Sequence, residues 1–213
     1  MAAAEQLRIL EEHQIDYLHF DVIDGWFAPE FGLSTKIINQ VRQKCCIRSD
    51  YHLMLEDPSR TINAFQFGKG DIVTIHQEAC RNLHRELLAV RETGARSGIA
   101  LCPETPLDTL DYVIEDADVI LLMAVNPGYN HQVMFRDTIE KLKCLRTVVD
   151  QRKLNTKLAV EGNIHAHCVP ELVACGADIL VGGSQGLFRK DIALSDAIRE
   201  LNESIEIGLQ RRN

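Results

Sequence analysis

The chain has 213 residues, with 23 Lys and Arg against 31 Asp and Glu, a formal charge of −8 and 46% hydrophobic residues. That composition excludes a largely disordered chain, and the length suits one domain, expected over residues 1–213. The acidic balance argues against a general polyanion binder, so no nucleic-acid partner is expected.

From the N-terminus, Ala2–Glu12 reads as a helix, with no basic region followed by an apolar run that would mark a signal peptide. The first strand is expected at Tyr17–Ile23. Ser34 is placed to cap a helix over Lys36–Arg42, where Ile37, Ile38 and Val41 share a face. Strands follow at Ser49–Leu55, Asp71–His76 and Gly98–Leu101, then at Val119–Ala124, Lys157–Val160 and Ile179–Val181. Asp57-Pro58 and Thr105-Pro106 each put a capping oxygen before a proline and predict helix starts. Gly94 and Gly176 stand where helices should stop. Seven strands and eight helices in alternation predict a parallel α/β fold. Several strands are nearly continuous apolar runs, as when both faces are covered.

Two architectures fit that rhythm, a doubly wound sheet and a (β/α)₈ TIM barrel. No G-x-G-x-x-G follows the first strand, which disfavours the first. Seven strands are one short of the barrel, so a barrel lacking its first strand in this chain is expected. The longest apolar run, Val119–Val125, is too short to span a bilayer, so a cytoplasmic protein with no membrane partner is expected. Seven scattered cysteines form no C-x-x-C pair and read as free thiols in a reducing compartment.

In a barrel, reactive groups sit at the C-terminal ends of strands. His19 and Asp21 are two apart and share a strand face. His52 lies near the end of the next strand, and Glu161 falls where the sixth strand gives way to a loop. A lone strand histidine is usually a hydrogen-bonded core residue. Three strand ends each supplying a ligand-type side chain point instead to one divalent ion held by His19, Asp21, His52 and Glu161. His76, with Glu78 just after it, is a candidate support for those ligands. Gly162-Asn163 and Gly183-Ser184 occupy the loops after the last two strands, where barrels often grip phosphate. The loop from Asn126 to Gln132 is polar and contains glycine, suiting a cover over substrate.

Six segments, LHFDVIDGWFAPEFG, DYHLMLEDPSR, TIHQEA, CPETPLDTLDYVIEDADVILLMAVNPGY, AVEGNI and GADILVGGSQGLF, span nearly the whole chain. In them and in their order the chain resembles the ribulose-phosphate 3-epimerases and related ketose-phosphate 3-epimerases such as allulose-6-phosphate 3-epimerase. The resemblance implies a (β/α)₈ barrel, one divalent metal (Zn, Fe, Mn, Co and Mg not distinguished), a small phosphorylated sugar and a homo-oligomer. It also implies metal-dependent inversion of C3 of a ketose phosphate, ribulose 5-phosphate to xylulose 5-phosphate. By position, His19, Asp21, His52 and Glu161 match the metal ligands, with Asp21 and Glu161 as the two proton-transfer groups. His52, Met54, Met123, Gly128, Tyr129, Asn130, His131, Gly162, Asn163, Gly183 and Ser184 match substrate-contacting positions.

The chain departs from the family pattern in four places. An opening strand with a Pro-Ser motif is absent, Glu161 replaces an aspartate, Asn130-His131 replace a Gly-Gly pair and Ile23 replaces a pocket methionine. These departures leave two alternatives: a non-catalytic or truncated member kept as a sugar-phosphate-binding or assembly subunit, and a 3-epimerase for a different ketose phosphate.

Overall fold

The structure is a computed structural model that describes residues 3–128 and 132–212. Tyr129, Asn130 and His131, named above for the substrate loop, lie outside the described residues. Among the described residues, seven strands alternate with six α-helices and several short 3₁₀ turns. The strands are β1 (Tyr17–Ile23), β2 (Arg48–Met54), β3 (Ile72–His76), β4 (Arg96–Leu101), β5 (Val119–Met123), β6 (Lys157–Glu161) and β7 (Ile179–Val181). The helices are α1 (Ala3–Glu12), α2 (Thr35–Arg42), α3 (Leu83–Glu92), α4 (Thr138–Gln151), α5 (Val169–Ala174) and α6 (Leu194–Arg212). All seven strands run parallel in the spatial order β1 to β7, forming a nearly closed barrel with the helices around it. This consecutive order excludes the doubly wound arrangement, which reverses order at a switch point.

The period of two sorts the strand residues into an inner and an outer set. Ile72, Ala100, Val119, Leu121, Met123 and Ala159 form one buried cluster with Tyr17, Ile179 and Val181. Alternate residues such as Phe20, Tyr51, Val73, Ile99, Ile120 and Val160 pack outward with Leu87, Leu142, Leu145 and Leu172 of the helices. A third cluster joins Leu10 of α1 to Leu194 and Ile198 of α6, with Leu18 of β1 against it. β5, with every residue buried, shows why its sequence is an unbroken apolar run.

A repeated device ties the strand entrances. Asp71, Asp118 and Asp178 each stand one residue ahead of a strand. Their carboxylates accept from the backbone N–H of Ser49, Ser97 and Leu158 on the neighbouring strand, at 2.9, 2.9 and 3.0 Å. Such charge-assisted bonds help hold register, and a slip of one residue would turn every inward side chain outward.

Two helix expectations are corrected. After Asp57-Pro58 the chain forms only the 3₁₀ turns Pro58–Arg60 and Ile62–Ala64, and after Thr105-Pro106 only Leu107–Leu110 and Ile114–Asp116. Leu107, Leu110 and Val113 recur every three residues, a spacing that suits 3.0 residues per turn rather than 3.6. The eight expected helices are thus six α-helices. Ser34 does occupy the cap position of α2, but its side chain makes no capping bond. Gly94 and Gly176 have φ of 89° and 111° and end α3 and α5 as the sequence predicts. All seven cysteines are free thiols. No helix among the described residues is long and apolar enough to cross a membrane.

Candidate metal centre and active-site cleft

Adjacent strands β1 and β2 pair His19 with Asp50 and Asp21 with His52. This register sets a square of two imidazoles and two carboxylates on the inner face. Glu161, the last residue of β6, reaches the same place from the other side. His19 Nε2 lies 3.3 Å from Asp21 Oδ1 and 3.2 Å from Glu161 Oε2. His52 Nδ1 lies 3.4 Å from Asp21 Oδ1 and 3.0 Å from Glu161 Oε2. All four sequence-predicted ligands are therefore brought together.

These four atoms are buried, and none has a hydrogen bond of sound geometry. Unsatisfied buried polar atoms are costly, so four of them facing one another call for a shared partner. A tetrahedral ion bonded at about 2.0–2.2 Å would separate its donors by about 3.3–3.6 Å, close to the spacing seen. The mixed imidazole and carboxylate set suits a divalent ion of the Zn, Fe, Mn or Co type. The residues fit such a cation, and the extra methylene of Glu161 does not carry its oxygen out of reach.

The electrostatics agree. Burial disfavours a proton on His19, yet Glu161 and Asp50 outweigh it and raise the imidazole well above its ordinary value. For His52 burial is again opposed, by Glu161 and Asp21, and the result is about 9. Burial would raise Asp21, but the close approach and positive charge of the His19 and His52 imidazoles hold it below the usual carboxylate range. The same two imidazoles outweigh burial at Glu161 and hold it at about 2. The cradle thus gathers positive charge to balance two carboxylates, and a cation can take the place of those protons.

Each imidazole is also held from behind. His19 Nδ1 meets Asp50 Oδ2 at 2.8 Å, while His52 Nε2 meets His76 Nε2 at 2.8 Å. Asp50 was not singled out from the sequence. Its signal was there, since Asp50 and His52 alternate on one strand face.

The cradle opens into a cleft of about 640 Å³. Asp21, Ile23, Met54, Met123, Gly128, Gly162, Asn163, Gly183 and Ser184 line it. His52 is fully buried behind the donors and is absent from the cleft wall. Gln132, from the loop expected to cover substrate, also lines it; Phe31, Gln185 and Phe188 line it too and were not anticipated, because loop packing rather than strand pattern puts them there.

Close backbone approach explains two of the glycines. Gly162 has φ of 113°, and a Cβ there would lie 2.7 Å from a Val125 methyl. Gly128, φ 75°, would meet Ala28 at 2.7 Å. The latter contact joins the loops after β5 and β1. The first loop is pinned by the Gln132 amide, which donates to Asn126 O at 2.8 Å and accepts from Asn126 N at 3.2 Å. The second is organised by Asp24, which accepts from the N–H groups of Trp26, Phe27 and Glu56 at 2.8, 3.0 and 2.8 Å.

The model described as "Ribulose-phosphate 3 epimerase family" matches residues 1–188. The chain belongs to that family. It is an enzyme family of the isomerase class. The chain is 34% identical over 184 residues to a ribulose-phosphate 3-epimerase of Bacillus subtilis, covering 86% of this chain and 85% of that protein. It is 35% identical over 170 residues to one of Escherichia coli, covering 79% and 76%. Among solved structures, 3-hexulose-6-phosphate synthase from Salmonella typhimurium matches with a TM-score of 0.66 at 15% identity. That match covers 97% of this chain and 93% of that one. At that identity the likeness speaks for the barrel fold alone.

Proposed function

We propose that the chain, as a single barrel domain over residues 1–213, inverts C3 of a phosphorylated ketose, with ribulose 5-phosphate as first candidate. The carrying observation is the set of four inward, unsatisfied donor atoms of His19, Asp21, His52 and Glu161 at the mouth of the barrel. These residues would hold one divalent cation, which supplies electrophilic polarisation of the C2 carbonyl and makes the C3 proton acidic.

Inversion needs a proton removed from one face of the sugar and returned to the other. Asp21 and Glu161 come from β1 and β6 and each turns one oxygen into the cradle. The remaining oxygens are the proton acceptor and the proton donor, exchanging roles in the reverse direction. The acceptor must be ionised, the state that the two imidazoles favour at Asp21, while the donor must carry a proton, so the pair holds one proton between them in each resting state. Met54, Met123 and Ile23 make the cleft beside the carboxylates apolar and limit water around the carbanion-like intermediate. Backbone N–H groups of Gly183 and Ser184, with Gly162 and Asn163, would bind the phosphate. Gly128, with Tyr129, Asn130 and His131, belongs to the cover over substrate, and His52 contributes through the cation. Phosphate binding away from C3 provides affinity without entering the chemistry. An assembly of identical chains belongs to the same reading.

The reach of Glu161 Oε2 to both imidazoles supports a catalytic member over a purely binding one. The test follows solvent deuterium at C3 of ribulose 5-phosphate in D₂O, with protein loaded with Zn²⁺, Mn²⁺ or Fe²⁺. Exchange and formation of xylulose 5-phosphate are expected. No exchange with any ketose phosphate would overturn the proposal.

A further inference from the structure

We propose that His76 and Glu78 are positioning residues that dictate which nitrogen of His52 carries its proton, keeping Nδ1 available as a donor in the cradle. The inference rests on the metal reading above and deepens it.

His52 and His76 are both fully buried, with rings stacked at 4.9 Å and 27°. Their Nε2 atoms are 2.8 Å apart. A bond between two imidazole nitrogens needs one N–H and one lone pair, so once a cation replaces the extra proton and both rings are neutral, only two arrangements exist. In the first, His52 Nε2–H donates and its Nδ1 bears the lone pair that faces Asp21 and Glu161. His76 then accepts at Nε2 and carries its own proton on Nδ1. That Nδ1 lies 3.1 Å from Glu78 Oε2. In the second arrangement every proton moves to the other nitrogen. The lone pair of His76 Nδ1 would then confront a carboxylate lone pair, and His52 Nδ1–H would point into the cradle where a cation should sit.

Glu78 decides between them, because an ionised carboxylate only accepts. It is itself anchored. Its Oε1 accepts from the Cys102 N–H at 2.9 Å and from the Thr105 hydroxyl. Phe27 packs on His76 with ring centroids 4.4 Å apart. The opposite ligand shows the same device in shorter form, with the His19 Nδ1–H bonded straight to Asp50 at 2.8 Å. Carboxylates behind metal-binding imidazoles fix tautomer and orientation, and on this side a second imidazole is inserted between them.

The trio of His76, Glu78 and Cys102 is the other group among the described residues whose donor atoms lie close enough to hold an ion. A cation on His76 Nδ1 would impose the second arrangement and take His52 out of the cradle. The trio is therefore better read as the support of the first site than as an independent one.

The experiment compares the wild-type chain with Glu78→Gln, His76→Gln and His76→Leu. Zn²⁺ affinity is measured by chelator competition, and the His76 proton is located by long-range ¹⁵N–¹H NMR on the zinc-loaded protein. His76→Gln keeps an acceptor for His52 Nε2–H and should stay within about threefold of wild type. His76→Leu and Glu78→Gln should weaken Zn²⁺ by about 10–100-fold, the range for lost ligand support. A packing role alone predicts the opposite order, since leucine fills an apolar space better than glutamine. Equal affinity in all four proteins, or the His76 proton on Nε2, would overturn the inference while leaving the metal reading intact. A wild-type chain that takes up no stoichiometric Zn²⁺ would overturn both.

Discussion

Two parts of the cleft are made differently. In one, side chains of β1, β2 and β6 converge within 3.0–3.4 Å, each on a regular strand and with both imidazoles backed by polar partners. In the other, Gly162, Asn163, Gly183 and Ser184 lie in the turns after β6 and β7 and line the cleft with small residues. The contrast matches the tasks proposed for them. Moving a proton needs specific titratable atoms held to about half an ångström, whereas gripping an anion needs N–H groups that any small residue can present.

The sharpest way to break that contrast is to neutralise one carboxylate. Glu161→Gln and Asp21→Asn should each lower the C3 exchange rate by about 10²–10⁴-fold, with KM for the sugar phosphate moving far less. A large KM change at constant kcat would place them with the anion-binding part instead.

Next in size is removal of the cation. Free metal at 100 times its Kd stabilises a binding fold by about 2.7 kcal/mol. For a chain of this size that corresponds to a rise in Tm of about 5–10 °C, read by calorimetry with and without chelator. The same addition to His52→Ala should leave Tm nearly unchanged.

Two glycine changes sharpen the other part. A Cβ on Gly162 would meet Val125 at 2.7 Å from a left-handed backbone, so Gly162→Ala should cost about 1–3 kcal/mol in denaturant unfolding. Gly183 has no atom within 4 Å of such a Cβ. Gly183→Ala should therefore fold as stably as the wild type, yet raise KM for a phosphorylated substrate by about tenfold with kcat preserved, because its methyl group crowds the anion.

The smallest effect is on acid stability. Burial would raise Glu78, but bonds from His76, Thr105 and the Cys102 N–H hold it at about 2 against an ordinary 4.5. The unfolded chain takes up that proton first. The stabilisation is thus complete above pH 4.5 and lost as pH falls towards 2. Glu78→Gln should flatten this part of the stability profile measured by urea titration.

What the sequence disclosed follows the same division. Period-two alternation made the strands legible, and the H-x-D of β1 placed His19 and Asp21 on one face before any coordinates. Asp50 carried the same signal, but a carboxylate near a strand entrance is easily taken for a solvated end. The segments after Pro58 and Pro106 misled because a proline behind a capping residue opens 3₁₀ turns as readily as α-helices. Only the three-residue spacing of Leu107, Leu110 and Val113 separates the two. Phe31 and Phe188 left no trace, since their place depends on how distant loops settle over the mouth.

One consequence of the strand order remains. Among the described residues, β1 and β7 each have a strand on a single side, so the sheet has two free margins. His19 on β1 and Glu161 on β6 nevertheless meet at 3.2 Å across the interior. An ion shared by them would be a rivet between one margin and the strand next to the other, where no backbone ladder joins the two. The cofactor that readies the sugar would by the same bonds complete the cylinder.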